Sequence, residues 1–134
     1  KINDSSIDNH SEIKEYKYFN KIENVIENFR SILLDSLSNG SIFYCYCPLR
    51  AIPYLAALGQ TSNPNIRFID DTPYWNNGYI DGSEIMIRSL NDSEISRNDV
   101  IFIFTNTFTN TIRSKLNSNG FHSNKIFSLS NLYS

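Results

Sequence analysis

The sequence predicts an α/β fold: a three-layer domain with a mainly parallel five-stranded sheet of strand order 3-2-1-4-5 and an added N-terminal helix. Three observations predict it. Strand-like runs alternate with helix-like stretches, which indicates parallel pairing and right-handed crossovers. Residues 99–104 are almost wholly apolar, as in a strand covered on both faces. The five glycines, at positions 40, 59, 78, 82 and 120, all fall at predicted element boundaries.

The first half of the chain predicts a long helix, a strand and a short helix. The long helix ends at Asn39-Gly40, and its apolar stripe recurs at steps of three and four through Ile22, Val25, Ile26, Phe29, Ile32, Leu33 and Leu37. A strand over 42–47 follows, and then an apolar helical stretch over 49–58. Pro53 lacks an N–H and crowds the preceding turn, so we expect this second helix to be short or kinked.

The second half continues the alternation. It predicts strands over 65–70, 84–87, 99–104 and 125–129. The polar stretch 89–98 has room for a single helical turn. Between the last two strands, a helix stops at Asn119-Gly120, and one apolar face of it is marked at steps of four by Phe108, Ile112 and Leu116.

Composition limits the domain count and the classes of partner. The 134 residues, 40% hydrophobic, suit one domain, which we place over 13–134 after a polar, flexible segment over 1–12. The net charge of -2 provides no basic field for nucleic acid. No apolar stretch approaches the roughly 18 residues that a membrane span needs, so no membrane partner is expected. Because the first residue is Lys1 rather than Met, we expect a fragment of a longer protein.

The cysteines and histidines give no sign of a metal centre. Cys45 and Cys47 are two apart in a predicted strand and are expected on one face of it. A C-x-C pair without a Cys or His companion is a poor zinc site, so we interpret both as buried, reduced thiols of a reducing, cytoplasmic compartment. His10 and His122 stand alone in polar surroundings and are predicted to be surface residues.

Doubly wound sheets bind ligands beyond the carboxyl ends of their strands, here near the switch point between strands 1 and 4. Six residues expected at that edge are candidate ligand contacts: Tyr46, Cys47, Arg50, Asp70, Asp71 and Asn106. Arg50 either pairs with a phosphate or is an exposed residue at a helix start. Asp70 lies where dinucleotide-binding domains carry a ribose-binding carboxylate, about twenty positions after the first turn. Asp70 and Asp71 have an alternative role as acceptors of backbone N–H groups, because Asp-x-x-Pro sequences often fold as turns.

The turn after strand 1 differs from a phosphate-binding turn. A G-x-G-x-x-G turn lets backbone N–H groups approach a pyrophosphate, whereas the segment 45–51 is filled by side chains and Pro48 removes a donor. Tight dinucleotide binding is therefore disfavoured. Tyr74 and Trp75 either stack on a base or a sugar, or pack on protein. No Ser-His-Asp, Cys-His, metal-ligand or P-loop spacing occurs, so we assign no catalytic residue and no metal ligand.

The element order, with Phe68-Ile-Asp-Asp-Thr-Pro73, Gly78 and Asp81-Gly82, resembles a Rossmann-like module of bacterial carbohydrate enzymes over about residues 16–130. It is most similar to the C-terminal domain of S-adenosylmethionine-dependent sugar C-methyltransferases, and related modules open some polysaccharide epimerases and sugar acetyltransferases. The chain departs from that family at two places. Residues 45–51 replace a glycine-rich turn that contains a Lys, and Trp75 stands in a spacing one residue longer where a Lys is usual.

The resemblance implies a non-catalytic domain that helps to bind or position a nucleotide-sugar in a transferase of polysaccharide biosynthesis. Methyl transfer would belong to an upstream catalytic domain that holds S-adenosylmethionine, since this chain has no glycine motif for that cofactor. No cofactor is assigned to the domain itself. Two alternatives stay open: an interaction or homodimerisation module that has lost nucleotide binding, and an NAD(P)-binding enzyme or sensor.

Overall fold

The computed structural model describes residues 4–133, with side chains described from residue 20 onward. Within these residues the helices are α1 Asp4–Ser38, α2 Ile52–Ala57 and α3 Thr109–Ser118. The strands are β1 Phe43–Tyr46, β2 Ile66–Ile69, β3 Ile87–Arg88, β4 Val100–Ile103 and β5 Ile126–Ser128. Short 3-10 turns lie at Pro48–Arg50, Pro73–Trp75, Ser123–Lys125 and Leu129–Leu132.

The five strands form one parallel sheet of order β3-β2-β1-β4-β5. Its register pairs Phe43 of β1 with Ile66 of β2 on one side and with Val100 of β4 on the other. Every residue of β1 and β4 is buried, as central strands covered on both faces require. The predicted Rossmann-like α/β fold, its strand order and its added N-terminal helix are therefore confirmed.

The first face of the sheet packs against α1 and α2. Phe29 of α1 is fully buried at the centre of this layer, with its ring centroid 5.9 Å from that of Phe43, 5.4 Å from that of Phe102 and 5.8 Å from that of Phe104. These edge-to-face contacts suit aromatic quadrupoles and bury a large apolar area. Leu55 of α2 joins the same cluster. This layer fixes the first turn of the fold, which follows β1.

The second face packs against α3. Ile112 and Leu116 of that helix share a cluster with Tyr44 and Tyr46 of β1 and with residues of β4 and β5. Leu90, in the connection from β3 to β4, completes the cluster. Helices therefore lie on both faces, and the side chains of β1 alternate between two separate apolar layers.

The second helix is short, as the position of Pro53 predicted. It comprises Ile52–Ala57, with Pro53 in its first turn, where the missing N–H removes no intrahelical hydrogen bond. Pro48 begins a separate 3-10 turn that precedes this helix. The chain leaves α2 through Gly59 at a φ of 67°, the left-handed conformation that glycine adopts without strain.

Two local predictions differ from the structure. The third strand is Ile87–Arg88 rather than 84–87, because Met86 forms an antiparallel bridge with Tyr79 and only the two following residues pair with β2. Residues 89–98 form no helix, and the single turn for which they had room is closed by the hydrogen bond from Ser93 N–H to the Leu90 carbonyl at 3.2 Å. Phe108 lies just before α3 and is 61% exposed, so the buried face of that helix begins at Ile112.

The described residues test the predictions for the N-terminal segment only in part. Helix α1 includes residues 4–12, which the sequence assigned to a flexible segment, and residues 1–3 lie outside the described residues. The side chain of His10 also lies outside them, whereas His122 is exposed as predicted. Over the part of the chain that the structure describes, no helix combines the length and apolar character needed to cross a bilayer.

Candidate functional site

The candidate residues lie at the carboxyl edge, which we define as the rim formed by the residues that end or follow β1, β2 and β4. Tyr46 and Cys47 close β1, Asp70 and Asp71 follow β2, and Asn106 follows β4. In parallel strands these positions share one edge, and β1 and β4 are adjacent at the switch point. The topology thus assembles the candidates, but their contacts give them different roles.

Asp71 is the centre of a hydrogen-bond network at this edge. Its Oδ2 accepts one hydrogen bond from the Tyr46 hydroxyl and a second from Lys115 Nζ at 2.8 Å. Its Oδ1 accepts the backbone N–H of Leu90 at 2.9 Å. One carboxylate therefore connects β1, the loop after β2, the loop after β3 and α3, which is a structural arrangement.

The ionisation of the network follows from these bonds. Partial burial alone would raise the pKa of Asp71, but the hydrogen bonds from Leu90 N–H, Lys115 and Tyr46 outweigh it and lower that pKa below its ordinary value. Burial, followed by the hydrogen bond to Asp71, raises the pKa of Tyr46. At neutral pH the pair is thus a carboxylate that accepts from a neutral phenol.

Asp70 adopts the turn role that its sequence context allowed. Its Oδ1 accepts the backbone N–H of Thr72 at 2.9 Å, as in an Asx turn. Its own N–H donates to the carbonyl of Arg88 at 2.9 Å. Asp70 Oδ2 accepts no hydrogen bond within the described residues, so this oxygen is available to a ligand at the carboxyl edge.

The turn after β1 has few backbone donors for a pyrophosphate. The N–H of Cys47 donates to Ile69, that of Arg50 to Cys47 and that of Ala51 to Pro48, at 3.0, 3.3 and 2.9 Å respectively. Pro48 has no N–H. Of residues 47–51, only Leu49 keeps a backbone N–H without a backbone acceptor among the described residues. The turn is therefore a poor phosphate cradle, as its sequence predicted.

The two cysteines face opposite layers, contrary to the expectation that they share one face. Cys45 lies in the cluster of the first face, whereas Cys47 packs against the cluster of the second. The reason is that Cys47 follows the strand with a φ of 67°, in the left-handed region, so the period-two alternation of β1 no longer applies to it. Burial raises the pKa of Cys45, and both thiols are free.

Cys47 is half-buried beside two charged side chains. Burial and the neighbouring Asp70 carboxylate raise the pKa of its thiol to about 11, against the opposing effect of Arg50. The thiol is therefore protonated at neutral pH and is a poor nucleophile. Its side chain contributes shape to the carboxyl edge rather than reactivity.

Arg50 and Asn106 are exposed at this edge. Neither side chain forms a hydrogen bond or an ion pair within the part of the chain that the structure describes. Three apolar side chains in the same loops are also strongly exposed: Leu49 (61%), Tyr74 (85%) and Phe108 (61%). Uncommitted polar groups and exposed apolar groups thus share the edge where doubly wound sheets bind ligands.

Lys115 is a site residue that sequence reasoning missed. It approaches Asp71 across 44 positions of sequence, with 47% of its side chain exposed. Its position three residues after Ile112 indicated only that it borders the buried face of α3. The contact with Asp71 depends on how α3 lies on the sheet, which no local pattern specifies.

No metal centre is present among the described residues: no group of three or more His, Cys, Asp or Glu side chains is arranged to hold an ion there. Comparison with protein-family models, with curated proteins and with solved structures finds no match to this chain.

Proposed function

We propose that this chain is a non-catalytic, cytoplasmic Rossmann-like domain of a bacterial carbohydrate-processing enzyme, of the sugar methyltransferase type, that helps to bind or position a nucleotide-sugar. The observation that supports the proposal is the set of uncommitted side chains at the carboxyl edge, Arg50, Asn106 and Asp70 Oδ2, beside exposed Tyr74. An upstream domain would hold S-adenosylmethionine and carry out the chemistry.

Each uncommitted group has a role that suits part of a nucleotide-sugar. Arg50 offers a charge-assisted, two-pronged contact to a phosphate. Asp70 Oδ2 is an acceptor for a ribose or sugar hydroxyl. The exposed ring of Tyr74 offers a face for stacking on the base. Tyr46 and Asp71 then act as positioning residues, because their hydrogen bonds fix the loops that carry the contacts.

The geometry favours a nucleotide-sugar over NAD(P). Dinucleotide binding in the usual pose needs several backbone N–H groups directed at the pyrophosphate from the turn after β1. Here three of those groups are already bonded within the fold, and Pro48 supplies none. A ligand held through side chains at the other loops of the carboxyl edge does not need that cradle.

The test is a titration of the ¹⁵N-labelled chain with UDP-glucose, GDP-mannose and dTDP-glucose, followed by NMR. The proposal predicts saturable shift changes at Arg50, Asp70, Tyr74 and Asn106 for at least one of them. Residues that precede the strands, at the opposite edge of the sheet, should not respond, and Arg97 just before β4 is one of them. If no nucleotide-sugar shifts the carboxyl-edge signals, the proposal is wrong.

A second candidate is an interaction or homodimerisation module, favoured by the exposure of Leu49, Tyr74 and Phe108 in neighbouring loops. Sedimentation of the wild-type chain over a wide concentration range tests it. This candidate predicts a dimer that Phe108→Ser dissociates and that Ile22→Ser, a matched change of an exposed apolar residue on α1, leaves intact. A wild-type monomer at all concentrations would exclude the dimer.

A further inference from the structure

The second face of the sheet is incompletely covered. Helix α3 packs over β1, β4 and β5 through Ile112 and Leu116. The connection from β2 to β3 crosses on the first face instead, where Trp75, Ile80 and Ile85 join the α1 cluster. Among the described residues, no helix therefore lies over the second face of β2 and β3.

A cavity of about 670 Å³ lies over this uncovered region. It is separate from the carboxyl edge, since none of the six candidate ligand contacts there lines it. We call it the second-face groove and define it by six lining residues: Tyr44, Arg67, Arg88, Glu84, Asp92 and Glu94. Its volume lies in the range of about 300–1,000 Å³ that is usual for small-molecule sites.

The floor of the groove is basic. Ile69 of β2 belongs to the cluster on the second face. Arg88 of β3 is its register partner and therefore lies on the same face. Arg67 lies two residues before Ile69 in β2, so it also lies on the second face. Both arginines are exposed. The ion pairs found among the described residues involve neither of them. Two guanidinium groups on neighbouring strands thus line the same cavity without a carboxylate partner, and that of Arg67 lies beside the Tyr44 hydroxyl.

The rim of the groove is acidic. Glu84 precedes β3, and Asp92 and Glu94 lie in the connection from β3 to β4, so carboxylates border the floor from two different segments. All three are exposed. Although they line the same cavity as the arginines, no carboxylate oxygen comes within ion-pairing distance of either guanidinium. The carboxylates and the guanidinium groups therefore do not pair with each other across the groove.

We propose that the second-face groove binds a neutral saccharide of two or three sugar units. A simple anion would meet three carboxylates, and a simple cation would meet two guanidinium groups. An uncharged polyol suits this lining better, because each hydroxyl both donates and accepts. Neighbouring hydroxyls match the paired N–H groups of a guanidinium and the paired oxygens of a carboxylate. The groove would be a saccharide site separate from the carboxyl edge.

The experiment is a glycan array probed with the labelled 134-residue chain, followed by calorimetry with the best neutral oligosaccharide. The proposal predicts binding to neutral glycans. Arg67→Met and Glu94→Gln should each weaken it by about tenfold or more, since the first removes a charged hydrogen-bond donor and the second replaces a charged acceptor by a neutral amide. Arg97→Met, a matched change of an exposed arginine outside the groove, should leave the affinity unchanged.

Two further measurements keep the result interpretable. Thermal unfolding of each variant establishes that it folds, and NMR with the bound glycan should shift residues 62–68 and 84–94. Arg50→Ala should not affect glycan binding, so failure at the carboxyl edge and failure at the groove are distinguishable. Binding only to acidic glycans, binding to none, or binding insensitive to Arg67→Met and Glu94→Gln would each overturn the proposal.

Discussion

Asp71 joins four parts of the fold through one carboxylate, and its contacts explain why a residue at the carboxyl edge has a structural role. Both of its oxygens are occupied, by Leu90 N–H on one side and by Tyr46 and Lys115 on the other. A ligand that needed this carboxylate would have to break those bonds. Ligand recognition at the residue scale is therefore expected from Asp70 and Arg50.

Replacing Asp71 should destabilise the fold more than replacing its exposed partner. Asp71→Ala leaves the Leu90 N–H and the Tyr46 hydroxyl without their acceptor, so we expect a loss of about 1–3 kcal/mol in the free energy of unfolding. Lys115→Met removes an ion pair whose two side chains are 47% and 37% exposed, which should cost at most about 1 kcal/mol. Urea unfolding measures both, and equal losses would contradict this hierarchy.

The contribution of Asp71 should depend on pH. Its pKa in the folded state is lowered, so the unfolded chain binds the proton more tightly and the charged form stabilises the fold. That stability is fully present above the unfolded value of about 3.9 and is lost as the pH falls through the lower folded value. The stability difference between wild type and Asp71→Ala should therefore shrink between pH 7 and pH 3, as measured by urea unfolding. A constant difference would contradict the assigned shift.

The sequence predicts the role of a single residue where neighbours in the sequence determine its contacts. The turn role of Asp70 follows from a Pro three positions later, a spacing visible in the sequence. The link from Asp71 to Lys115 spans 44 positions and depends on tertiary packing. The left-handed backbone of Cys47, a non-glycine residue, also could not be predicted, and it reversed the expected direction of the thiol.

The helices differ in how they are held to the sheet. Helix α1 is anchored by a few large buried side chains on one stripe, above all Phe29. Its ring contacts three aromatic rings of the sheet: Phe43 of β1, Phe102 of β4, and Phe104 just after β4. Helix α2, with six residues, depends on its packing because it is too short to be stable alone.

Truncating Phe29 tests this anchoring. Phe29→Ala should lower the free energy of unfolding by about 3–5 kcal/mol, since it removes a fully buried ring and leaves a cavity. Leu34 lies on the same helix and is 42% exposed, so Leu34→Ala should change the free energy of unfolding by only about 0.5 kcal/mol. Denaturant unfolding of both variants provides the comparison. A small loss at Phe29 would mean that α1 is not fixed by this face.

Elements with strong periodicity were predictable, and the edge strand was not. The central strands β1, β2 and β4 lie within a residue or two of their predicted bounds, because runs rich in β-branched and aromatic residues define them. Strand β3 has two residues, and its place is determined by the bridge between Tyr79 and Met86 and by the hydrogen bond from Ile87 N–H to Gly78. Such pairings involve residues outside the strand, so a local run cannot locate it.

For the whole molecule, the parallel topology creates two different surfaces. The carboxyl edge combines Arg50, Asp70 and Asn106 with exposed Tyr74, and the second-face groove combines a basic floor with an acidic rim. The edge was predictable, because any doubly wound order places it beyond the strand ends. The groove was not, because it depends on the connection from β2 to β3 crossing on the first face.

The central claim is that the carboxyl edge binds a nucleotide-sugar through side chains rather than through a backbone cradle. Calorimetric titration of wild type, Arg50→Ala and Arg97→Ala with the nucleotide-sugar that produces the largest NMR shifts tests it most directly. We predict that Arg50→Ala weakens binding by about tenfold or more, as loss of a charge-assisted phosphate contact requires, and that Arg97→Ala leaves it unchanged. Equal affinity of Arg50→Ala and wild type, or no heat of binding at all, would contradict the claim.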